Sequence, residues 1–492
     1  MLFNSAQFLI FFPLVTAAYF LLPHRYRAWW LLAASCYFYM CFKAIYIFIL
    51  AFTIAVDYSA GILIENSTGT RRRLYLLMSI FANAGVLAGF KYFNFLNDNF
   101  HSVSSVLGFH YPIPDLGILL PIGLSFHTFQ SLSYTIEVYR GRQKAERKPH
   151  MLAVYVMFYP QLVAGPIERP QNLLHQFHER HYFEYPEVAA GLKLMLWGFI
   201  KKVVIADRLA PFVNQVYSNP HDYPGISLII ATLFFGIQIY CDFSGYSDIA
   251  IGAARVMGFR LMKNFDRPYF SASVAEFWRR WHVSLSTWFR DYVYFPLGGS
   301  RVPVPRWYAN LMITFLISGL WHGASWTYVI WGGLNGIYLV IEQILKRSLG
   351  QSPLYRAIVT AFPASYRFLR TCFTFALISF AWIFFRAKTF ADARYIAGHL
   401  GSGLIQLPSQ LQNPAFQKVN ILMRLDKTEF LIALAGIGVL FAVELLQSRV
   451  GIGNLLSAQP AWLRWSFYYA AIMILVFFGA YSSSQEFIYF QF

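Results

Sequence analysis

Charged residues are scarce in this sequence, at 13% of 492 residues against roughly a quarter in soluble domains. Hydrophobic residues make up 57% of the chain and aromatic residues 19%. Apolar stretches of about 20 residues, the length that a helix needs to cross roughly 30 Å of hydrocarbon, recur along the whole chain. The sequence therefore argues against a soluble fold. It predicts an all-α polytopic membrane protein with about eleven transmembrane helices.

Cysteine is also rare, and the four cysteines lie in apolar segments without the paired spacing of metal sites. They are Cys36, Cys41, Cys241 and Cys372. Reduced, buried thiols without a functional role are expected. The sequence lacks a P-loop, a GxSxG elbow and a dinucleotide-binding fingerprint, which disfavours ATP-driven and serine-hydrolase mechanisms. His175, His178 and His181 have no carboxylate or cysteine that completes a metal-binding set, so they predict a solvated loop and no metal site.

Acidic residues are outnumbered by basic ones, 23 against 40, and the net charge is +17. The basic residues concentrate in loops beside apolar segments, which favours contact with anionic lipid headgroups over nucleic acid. The loop from Asn97 to Asp115 has no Lys or Arg, whereas the next loop is rich in both. The positive-inside rule then places the amino terminus outside. The first thirteen residues lack the features of a cleaved signal peptide, so their apolar run predicts the first membrane helix.

Between residues 255 and 307 the chain mixes basic and aromatic residues and never stays apolar long enough to span a membrane. Aromatic and leucine side chains recur there at steps of three or four residues, which predicts one interfacial amphipathic helix. They are Phe277, Trp281, Leu285, Trp288 and Tyr292. We predict a single membrane domain without a soluble module, with N-terminal helices over 1–150, a core over 151–345 and C-terminal helices over 346–492.

His322 stands in the sequence SGLWHGAS, near the end of an apolar segment that begins around Tyr308. At about 1.5 Å per residue it lies roughly 20 Å along that helix, deep in the membrane. A neutral imidazole is well suited to take a proton from a hydroxyl, and a dry, aromatic setting of Trp321, Trp326 and Trp331 is expected to keep it neutral. His322 is therefore a candidate general base; the alternative is a histidine satisfied by a hydrogen bond between helices. Gly319 and Gly323 are expected to let a substrate approach.

His282 falls on the predicted interfacial helix, where helical spacing puts Trp278, Leu285 and Phe289 on its own face. A histidine on this apolar side is expected to point inward. It is suited to orient a substrate or to polarise a thioester carbonyl, and a packing or capping role is the alternative.

Two further sets of charged residues are candidates for binding. Arg279, Arg280 and Arg290 are suited to bind the phosphates of a donor such as coenzyme A, although lipid phosphates are equally good partners. Asp242 and Asp248, in the sequence YCDFSGYSD, are carboxylates in an apolar setting. They either hold or polarise a substrate, or cap broken helices and pair with an arginine.

Several stretches resemble the membrane-bound O-acyltransferase family, in particular its branch of alginate O-acetyltransferase-like bacterial membrane proteins. They are LPIGLSFHTFQSLSYTIEVYRG from Leu120, YPQLVAGPIERP from Tyr159, YCDFSGYSDIAIG from Tyr240, FWRRWHVSLSTWFRDYVYFPLGG from Phe277, SGLWHGASWTYVIWGGLNG from Ser318, FAWIFFRA from Phe380 and FIYFQF from Phe487. The resemblance extends from end to end of the chain.

This resemblance implies a role for each histidine. The histidine of the family's WHG motif, taken as its catalytic base, maps onto His322, and the histidine of its WRRWH motif maps onto His282. Supporting or substrate-binding roles are predicted for residues of the same motifs. They are Trp321, Trp278, Arg279, Tyr240, Asp242 and Asn335.

The resemblance also implies an architecture and a reaction. The family's fold is a ring of transmembrane helices around a thinner centre with a tunnel. An acyl group arrives as a cytosolic thioester such as acetyl-CoA, with no tightly bound cofactor, and passes to an acceptor or relay protein at the opposite face. An extracytoplasmic acetyltransferase then acetylates an exopolysaccharide such as alginate, which places the chain in a bacterial cytoplasmic membrane.

Two other functions fit parts of the sequence. Other members of the same family transfer D-alanine from a carrier protein to a cell-wall polymer, and the donor cannot be read from the residues. A transporter in which buried histidines relay protons or bind a solute is the alternative from another class of protein, because ionisable residues in a membrane also mark transport paths.

Overall fold

The computed structural model describes residues 1–117, 120–349, 352–449, 458–481 and 487–490, and within these ranges the chain is helical and has no β-strand. The longer helices of the first half are α1 (Ala6–Leu21), α2 (His24–Met40), α3 (Ile47–Glu65), α4 (Gly69–Lys91), α5 (Phe93–Leu107), α6 (Leu124–Tyr139), α7 (Pro149–Met157), α8 (Tyr185–Phe199), α9 (Asp207–Ser218) and α10 (Gly225–Val256).

The longer helices of the second half are α11 (Val274–Arg280), α12 (Val283–Phe289), α13 (Val304–His322), α14 (Trp326–Leu349), α15 (Pro353–Ala361), α16 (Pro363–Arg386), α17 (Phe390–His399), α18 (Lys427–Arg449) and α19 (Ala461–Phe478). Wider π-helical turns occur at Ile200–Ala206, Arg290–Tyr294 and Gln417–Ile421. Single turns occur at Ala44–Tyr46, Tyr159–Leu162, Pro170–Leu173, Leu174–Phe177, Pro220–Asp222, Pro268–Phe270, Leu407–Gln410, Pro414–Phe416 and Ile488–Phe490.

Seven of the described helices are long and apolar enough to cross a membrane. They are α3 together with the turn before it, α4, α10, α14, α16, α18 and α19. Helix α1 is apolar but has only 16 residues. The expectation of an all-α chain with several membrane spans is confirmed, whereas the count of eleven, the ring around a tunnel and the outside position of the amino terminus stay predictions.

The chain divides into two compact units. The first comprises residues 1–195 and 246–263 and the second residues 196–245 and 264–492, so that two boundaries fall within α8 and α10 and the third lies between α10 and α11. The domain limits predicted from the sequence stay predictions.

In the first unit, α3, α4 and α6 pack together through buried polar side chains. The Ser79 hydroxyl donates to Asp57 Oδ1 at 2.6 Å, and the Asn83 side-chain amide donates to the same atom at 2.9 Å. One turn before Asp57, the Thr53 hydroxyl lies 2.6 Å from His127 Nε2. We call these five residues the N-terminal polar cluster. Because buried polar groups need partners, the cluster joins the three helices.

In the second unit, α13 and α14 are consecutive helices packed along each other, α14 also packs against α16, and the short helix α11 packs on α14 and α16. Helix α13 has a proline within its first two positions, where the missing N–H costs nothing. These four helices supply several of the aromatic side chains described below.

The predicted interfacial helix is interrupted, so the prediction of one continuous helix is wrong. Helix α11 ends at Arg280 and α12 begins at Val283, with His282 between them in the left-handed region at φ 44°. Asn264 holds this break, because its backbone carbonyl accepts the Val283 N–H at 2.9 Å and its side-chain oxygen accepts the Ser284 hydroxyl at 2.9 Å. Periodicity within one segment carries no information about a partner outside that segment.

Three other predictions differ from the structure. The loop expected from Asn97 to Asp115 is helical up to Leu107, where α5 ends. The sequence is apolar near 151–165 and predicts one segment there, which the structure divides between α7 and the turn Tyr159–Leu162. Among the cysteines, which are all free, only Cys241 is fully buried; the others are half-buried or exposed and lie on helices or at a helix end.

Candidate active site

His322 is the last residue of α13, where the chain turns into an extended conformation at Gly323. Its side chain is 4% exposed, and its Nδ1 lies 2.7 Å from the carbonyl oxygen of Ser318 in the preceding turn. A carbonyl oxygen only accepts hydrogen bonds, so Nδ1 carries the proton and donates it. In a neutral imidazole the basic lone pair is then on Nε2. The helix end therefore determines which nitrogen of His322 can act as a base.

Aromatic rings surround His322. The ring centroids of Trp331, Trp321, Phe385 and Tyr489 lie 4.8, 5.0, 5.5 and 6.0 Å from that of the imidazole. The rings come from α13, α14, α16 and the segment 487–490. An enclosure of this kind has few competing dipoles from water, so the electrostatic interactions of a reacting group are stronger inside it than in solution.

Two glycines let α13 and α14 approach closely. A Cβ atom on Gly319 would overlap the carbonyl oxygen of Tyr328, and one on Gly332 would overlap that of Phe315. A Cβ atom on Gly323 would overlap the Tyr328 ring. The expectation that Gly319 and Gly323 open a path for a substrate is therefore wrong, because Tyr328 fills the space beside both. These glycines instead fix the end of α13 against α14.

His282 is 1% exposed and points inward, as expected, but from the break between α11 and α12. Its ring lies 4.5 Å from that of Phe243 in an edge-on arrangement and 6.4 Å from that of Phe265. A residue with a Cβ atom in the left-handed region costs about 1 to 2 kcal/mol. The surrounding hydrogen bonds hold this conformation, and it aims the imidazole in a direction that a continuous helix would not.

The two histidines share neighbours. The Trp321 ring lies 6.4 Å from that of His282 and 5.0 Å from that of His322. The Tyr489 ring lies 6.3 Å from that of His282 and 6.0 Å from that of His322. We call these four residues, together with Phe243, the histidine cluster. The structure thus brings the two candidate catalytic residues and Trp321 into one enclosure.

Two further predicted residues adjoin this enclosure. Trp278, on α11, is half-buried, and its ring lies 5.7 Å from that of Trp331, which in turn contacts His322. Asn335 is fully buried on α14, where its amide donates to the Trp331 carbonyl at 2.8 Å. Both residues therefore act on the cluster through Trp331.

The remaining three predicted residues lie differently. The Tyr240 hydroxyl donates to the buried carboxylate of Glu444, and its ring lies 6.0 Å from that of Trp281. Asp242 is buried and pairs with a lysine, Lys202, instead of the arginine considered from the sequence. Arg279 is exposed on α11, away from the enclosed rings.

Sequence reasoning gave no separate role to Phe243, Phe385, Tyr489 and Lys202, which all contact the site or its support. The first three lie within motifs noted for their resemblance, but nothing in their own spacing marks them. Lys202 did carry a signal, because two adjacent lysines interrupt an otherwise apolar segment. The end of the last motif, residues 491 and 492, lies outside the described residues.

No group of three or more potential metal ligands comes together among the described residues. Of the three histidines considered from the sequence, His178 Nε2 pairs with Glu146 at 2.7 Å and His181 Nε2 lies 2.8 Å from the Gln176 carbonyl oxygen. Burial of His181 lowers its pKa from the ordinary value. The third, His175, is exposed.

The second unit also has an open cavity of about 300 Å³ whose lining includes three basic residues and one acidic residue. Its lining includes Lys346 at the end of α14 and Arg367 and Arg370 near the start of α16, with Ser273 and Glu276 at the start of α11. Guanidinium and ammonium groups around one opening are suited to phosphate.

Comparison with known proteins places this chain in a family. Residues 148–384 match the family model of MBOAT, the membrane-bound O-acyltransferase family. The chain is 41% identical over 392 residues to a probable alginate O-acetylase AlgI of Azotobacter vinelandii, covering 79% of this chain and 75% of that protein. It is 33% identical over 441 residues to a peptidoglycan O-acetyltransferase of Helicobacter pylori, covering 83% and 81%. It is 26% identical over 247 residues to a teichoic acid D-alanyltransferase of Bacillus subtilis, covering 48% and 62%.

Helices that can cross a membrane, together with these relatives, define a membrane enzyme of the acyl-transfer class. The chain belongs to the membrane-bound O-acyltransferase family and is a multi-pass membrane acyltransferase. The family resemblance noted in the sequence is confirmed, and an enzyme takes the place of the transporter considered there.

Proposed function

We propose that this enzyme transfers an acetyl group from a thioester donor to a hydroxyl, for O-acetylation of a polysaccharide outside the cytoplasmic membrane, with His322 as the general base. The observation that carries the proposal is the bond from His322 Nδ1 to the Ser318 carbonyl, which makes Nε2 the basic nitrogen within an aromatic enclosure. Two of the relatives, an alginate O-acetylase and a peptidoglycan O-acetyltransferase, support an acetyl group and a polymer.

The chemistry needs one base and no redox step. His322 Nε2 takes the proton of the acceptor hydroxyl as its oxygen attacks the thioester carbonyl carbon. The carbon–oxygen bond forms, the carbon–sulfur bond breaks, and the imidazolium returns its proton to the departing thiolate. Ester and free thiol are the products, and His322 ends in its starting state.

His282 is assigned the carbonyl side of the reaction. Its ring shares Trp321 and Tyr489 with that of His322, so a thioester within the cluster is within reach of both imidazoles. A fixed dipole aimed at the carbonyl oxygen stabilises the negative charge that develops there. Trp278, Tyr240 and Asn335 support the walls through their neighbours, and the acetyl donor is a substrate rather than a tightly bound cofactor.

The basic cavity is suited to the phosphates of the donor. Lys346, Arg367 and Arg370 surround it, and its rim at Ser273 and Glu276 belongs to the helix that carries Trp278. Acetyl-CoA bears phosphates that such a site binds, whereas a short acetyl thioester has no phosphates for the site to bind. Arg279, exposed on the same helix, is available to the same donor or to lipid phosphates.

The destination of the acetyl group is a partner outside the membrane. We place the chain in a bacterial cytoplasmic membrane with its amino terminus outside, and expect an extracytoplasmic acetyltransferase or acceptor protein to receive the group. Surface glycans such as alginate are the final acceptors. The alginate and peptidoglycan enzymes among the relatives support such a system.

The test follows free coenzyme A released from acetyl-CoA by the full chain in nanodiscs together with its acceptor partner. We expect turnover by wild type and a loss of roughly a hundredfold or more in His322→Ala, as removal of a general base typically gives. Arg367→Gln should raise KM for acetyl-CoA but leave turnover of a phosphate-free acetyl thioester unchanged. Equal rates in wild type and His322→Ala would contradict the proposed base.

A second donor is favoured by one observation, the similarity to a teichoic acid D-alanyltransferase. That similarity covers 48% of this chain against 79% for the alginate O-acetylase, which is why acetyl transfer is proposed first. The same assay run with a D-alanyl carrier protein separates the two. If the enzyme turns over the D-alanyl thioester and does not turn over acetyl-CoA, the donor is the D-alanyl carrier protein and the proposed acetyl donor is wrong.

A further inference from the structure

Asp242 lies in a buried arrangement of three charged side chains. Its Oδ1 is 2.8 Å from Lys202 Nζ, and the same Nζ is 2.8 Å from Asp207 Oδ1. All three side chains are at most 5% exposed. Buried charges persist only when they are paired, and here two carboxylates share one ammonium group. Lys202 therefore fixes the position of the Asp242 carboxylate.

Lys202 reaches Asp242 from a π-helical turn, which is wider than an α-helical one. Residues Ile200–Ala206 form a π-helical turn directly after α8, and both Lys201 and Lys202 are buried within it. Lys201 Nζ donates to the Ser244 hydroxyl at 2.9 Å, two residues beyond Asp242 on α10. Two adjacent lysines thus both meet one stretch of α10.

The second oxygen of Asp242 binds a residue far along the chain. Asp242 Oδ2 accepts the backbone N–H of Ile488 at 2.8 Å, across a separation of 246 residues. Phe487 and Ile488 are 1% and 3% exposed. A hydrogen bond to a charged acceptor is stronger than one between neutral groups, and a buried N–H left without a partner is costly.

The segment that this bond holds, residues 487–490, belongs to the wall of the active site. The Tyr489 ring lies 4.4 Å from that of Phe243 and contacts both histidine rings, and the Phe487 ring lies 5.7 Å from that of Phe243. Phe243 follows Asp242 in the chain and lies 4.5 Å from His282. The carboxylate therefore holds the segment at the place where it meets the two imidazoles.

We propose that Asp242, held by Lys202, is a positioning residue that anchors residues 487–490 against His282 and His322 and so completes the acyl-transfer site. The role rests on the proposed function, because the segment is assigned to the wall of that site. Asp242 acts through the segment and through Phe243, and it touches no substrate.

The first measurement is independent of catalysis. Purified protein that ends at residue 492 is digested with carboxypeptidase and its intact mass is followed, for wild type, Asp242→Ala and the milder Asp242→Asn. Wild type should resist trimming into residues 487–490, whereas Asp242→Ala should lose them faster by roughly tenfold or more, since the bond lost is worth about 1.5 to 3 kcal/mol. Resistance equal to wild type in both variants would overturn the anchor.

A matched control is Asp57→Asn, which removes the same charge from a buried carboxylate in the first unit. It should leave the carboxypeptidase result unchanged. If Asp57→Asn releases the segment as readily as Asp242→Asn, the effect is general destabilisation and the proposal fails.

The second measurement tests the link to catalysis. In Asp242→Asn, kcat for acetyl-CoA turnover should fall by about tenfold to a hundredfold with KM for the donor within a factor of about two, because misplacement of a supporting element affects the reacting geometry more than donor binding. Release of the segment with kcat unchanged would overturn the positioning role. Release of the segment in a chain that turns over no thioester even as wild type would leave the anchor standing and remove the proposed function.

Discussion

Among the described residues, each compact unit contains a group of buried side chains that includes histidine. In the N-terminal polar cluster, His127 faces the Thr53 hydroxyl of another helix, and Asp57 is bonded by side chains of α4. In the histidine cluster, His322 donates to a carbonyl of its own helix, and the rings of Trp331 and Phe385 lie beside it.

This difference indicates that the histidine of one cluster contributes to stability and the histidine of the other to catalysis. A hydrogen bond between side chains of two helices stabilises the association of those helices. The bond of His322 stays within one helix, so it fixes the tautomer of the ring and adds nothing to helix association. Burial and an ionisable group are therefore common to both clusters, and the partner of the histidine is what distinguishes them.

The largest expected effect comes from making the same substitution in both clusters. His322→Gln should lower kcat for thioester turnover by roughly a hundredfold to ten-thousandfold and change the unfolding midpoint little, because a general base is lost. His127→Gln should leave kcat per folded molecule near wild type but lower stability, since the Thr53 hydroxyl loses its imidazole partner. Turnover and thermal unfolding are measured on the same detergent preparations. An equal loss of kcat in both variants would contradict the assignment of a catalytic role to His322 and a structural role to His127.

The next effect concerns the packing that places His322. Gly332→Ala puts a methyl group against the Phe315 carbonyl and should separate α13 from α14, with turnover and folded yield both lowered by roughly tenfold or more. Gly333→Ala is the matched control on the same helix, because its methyl group would lie 3.7 Å from the nearest atom, on Leu316. Wild-type turnover in Gly332→Ala would show that the close approach is not needed.

A smaller catalytic effect is expected for His282. Asn is the best replacement because it tolerates the left-handed conformation found at this position, so the backbone break is kept. His282→Asn should lower kcat by about tenfold to a hundredfold, less than His322→Gln, through the loss of a group aimed at the thioester carbonyl. Single-turnover acetyl-CoA cleavage reports this step. An unchanged rate would leave His282 with a packing role.

The sequence predicted the parts of the site that depend on local pattern. Its apolar segments predicted several membrane spans, and the segment ending in the WHG motif placed His322 at the end of a helix, as observed. Of the three tryptophans expected around the imidazole, Trp321 and Trp331 lie beside it, whereas Trp326 is 56% exposed. Each of these features follows from residues within about one or two turns of the histidine or from the next helix.

The features that the sequence missed depend on contacts between distant residues. The break at His282 is fixed by Asn264, which lies outside the periodic segment, and the bond from Ile488 to Asp242 spans half the chain. The role of Gly319 and Gly323 was predicted wrongly, because the sequence does not distinguish a glycine that makes room for a substrate from one that makes room for a neighbouring helix. Contacts between residues far apart in the chain produce no periodic pattern in the sequence, so they cannot be predicted from periodicity.

The smallest expected effect sharpens the comparison from the structural side. Thr53→Val keeps the shape of the side chain and removes the hydroxyl that faces His127, so it should cost about 0.6 to 1.7 kcal/mol, the size of hydrogen bonds between membrane helices. Ser59→Ala is the control on the same helix, because that exposed hydroxyl donates only to the Ala55 carbonyl of its own turn among the described residues. Its free energy of unfolding in mixed micelles should match wild type. If both variants lose the same free energy of unfolding, hydrogen bonds within a helix and hydrogen bonds between helices contribute equally to stability. The hydrogen-bond partner of a buried histidine would then not distinguish a structural role from a catalytic one.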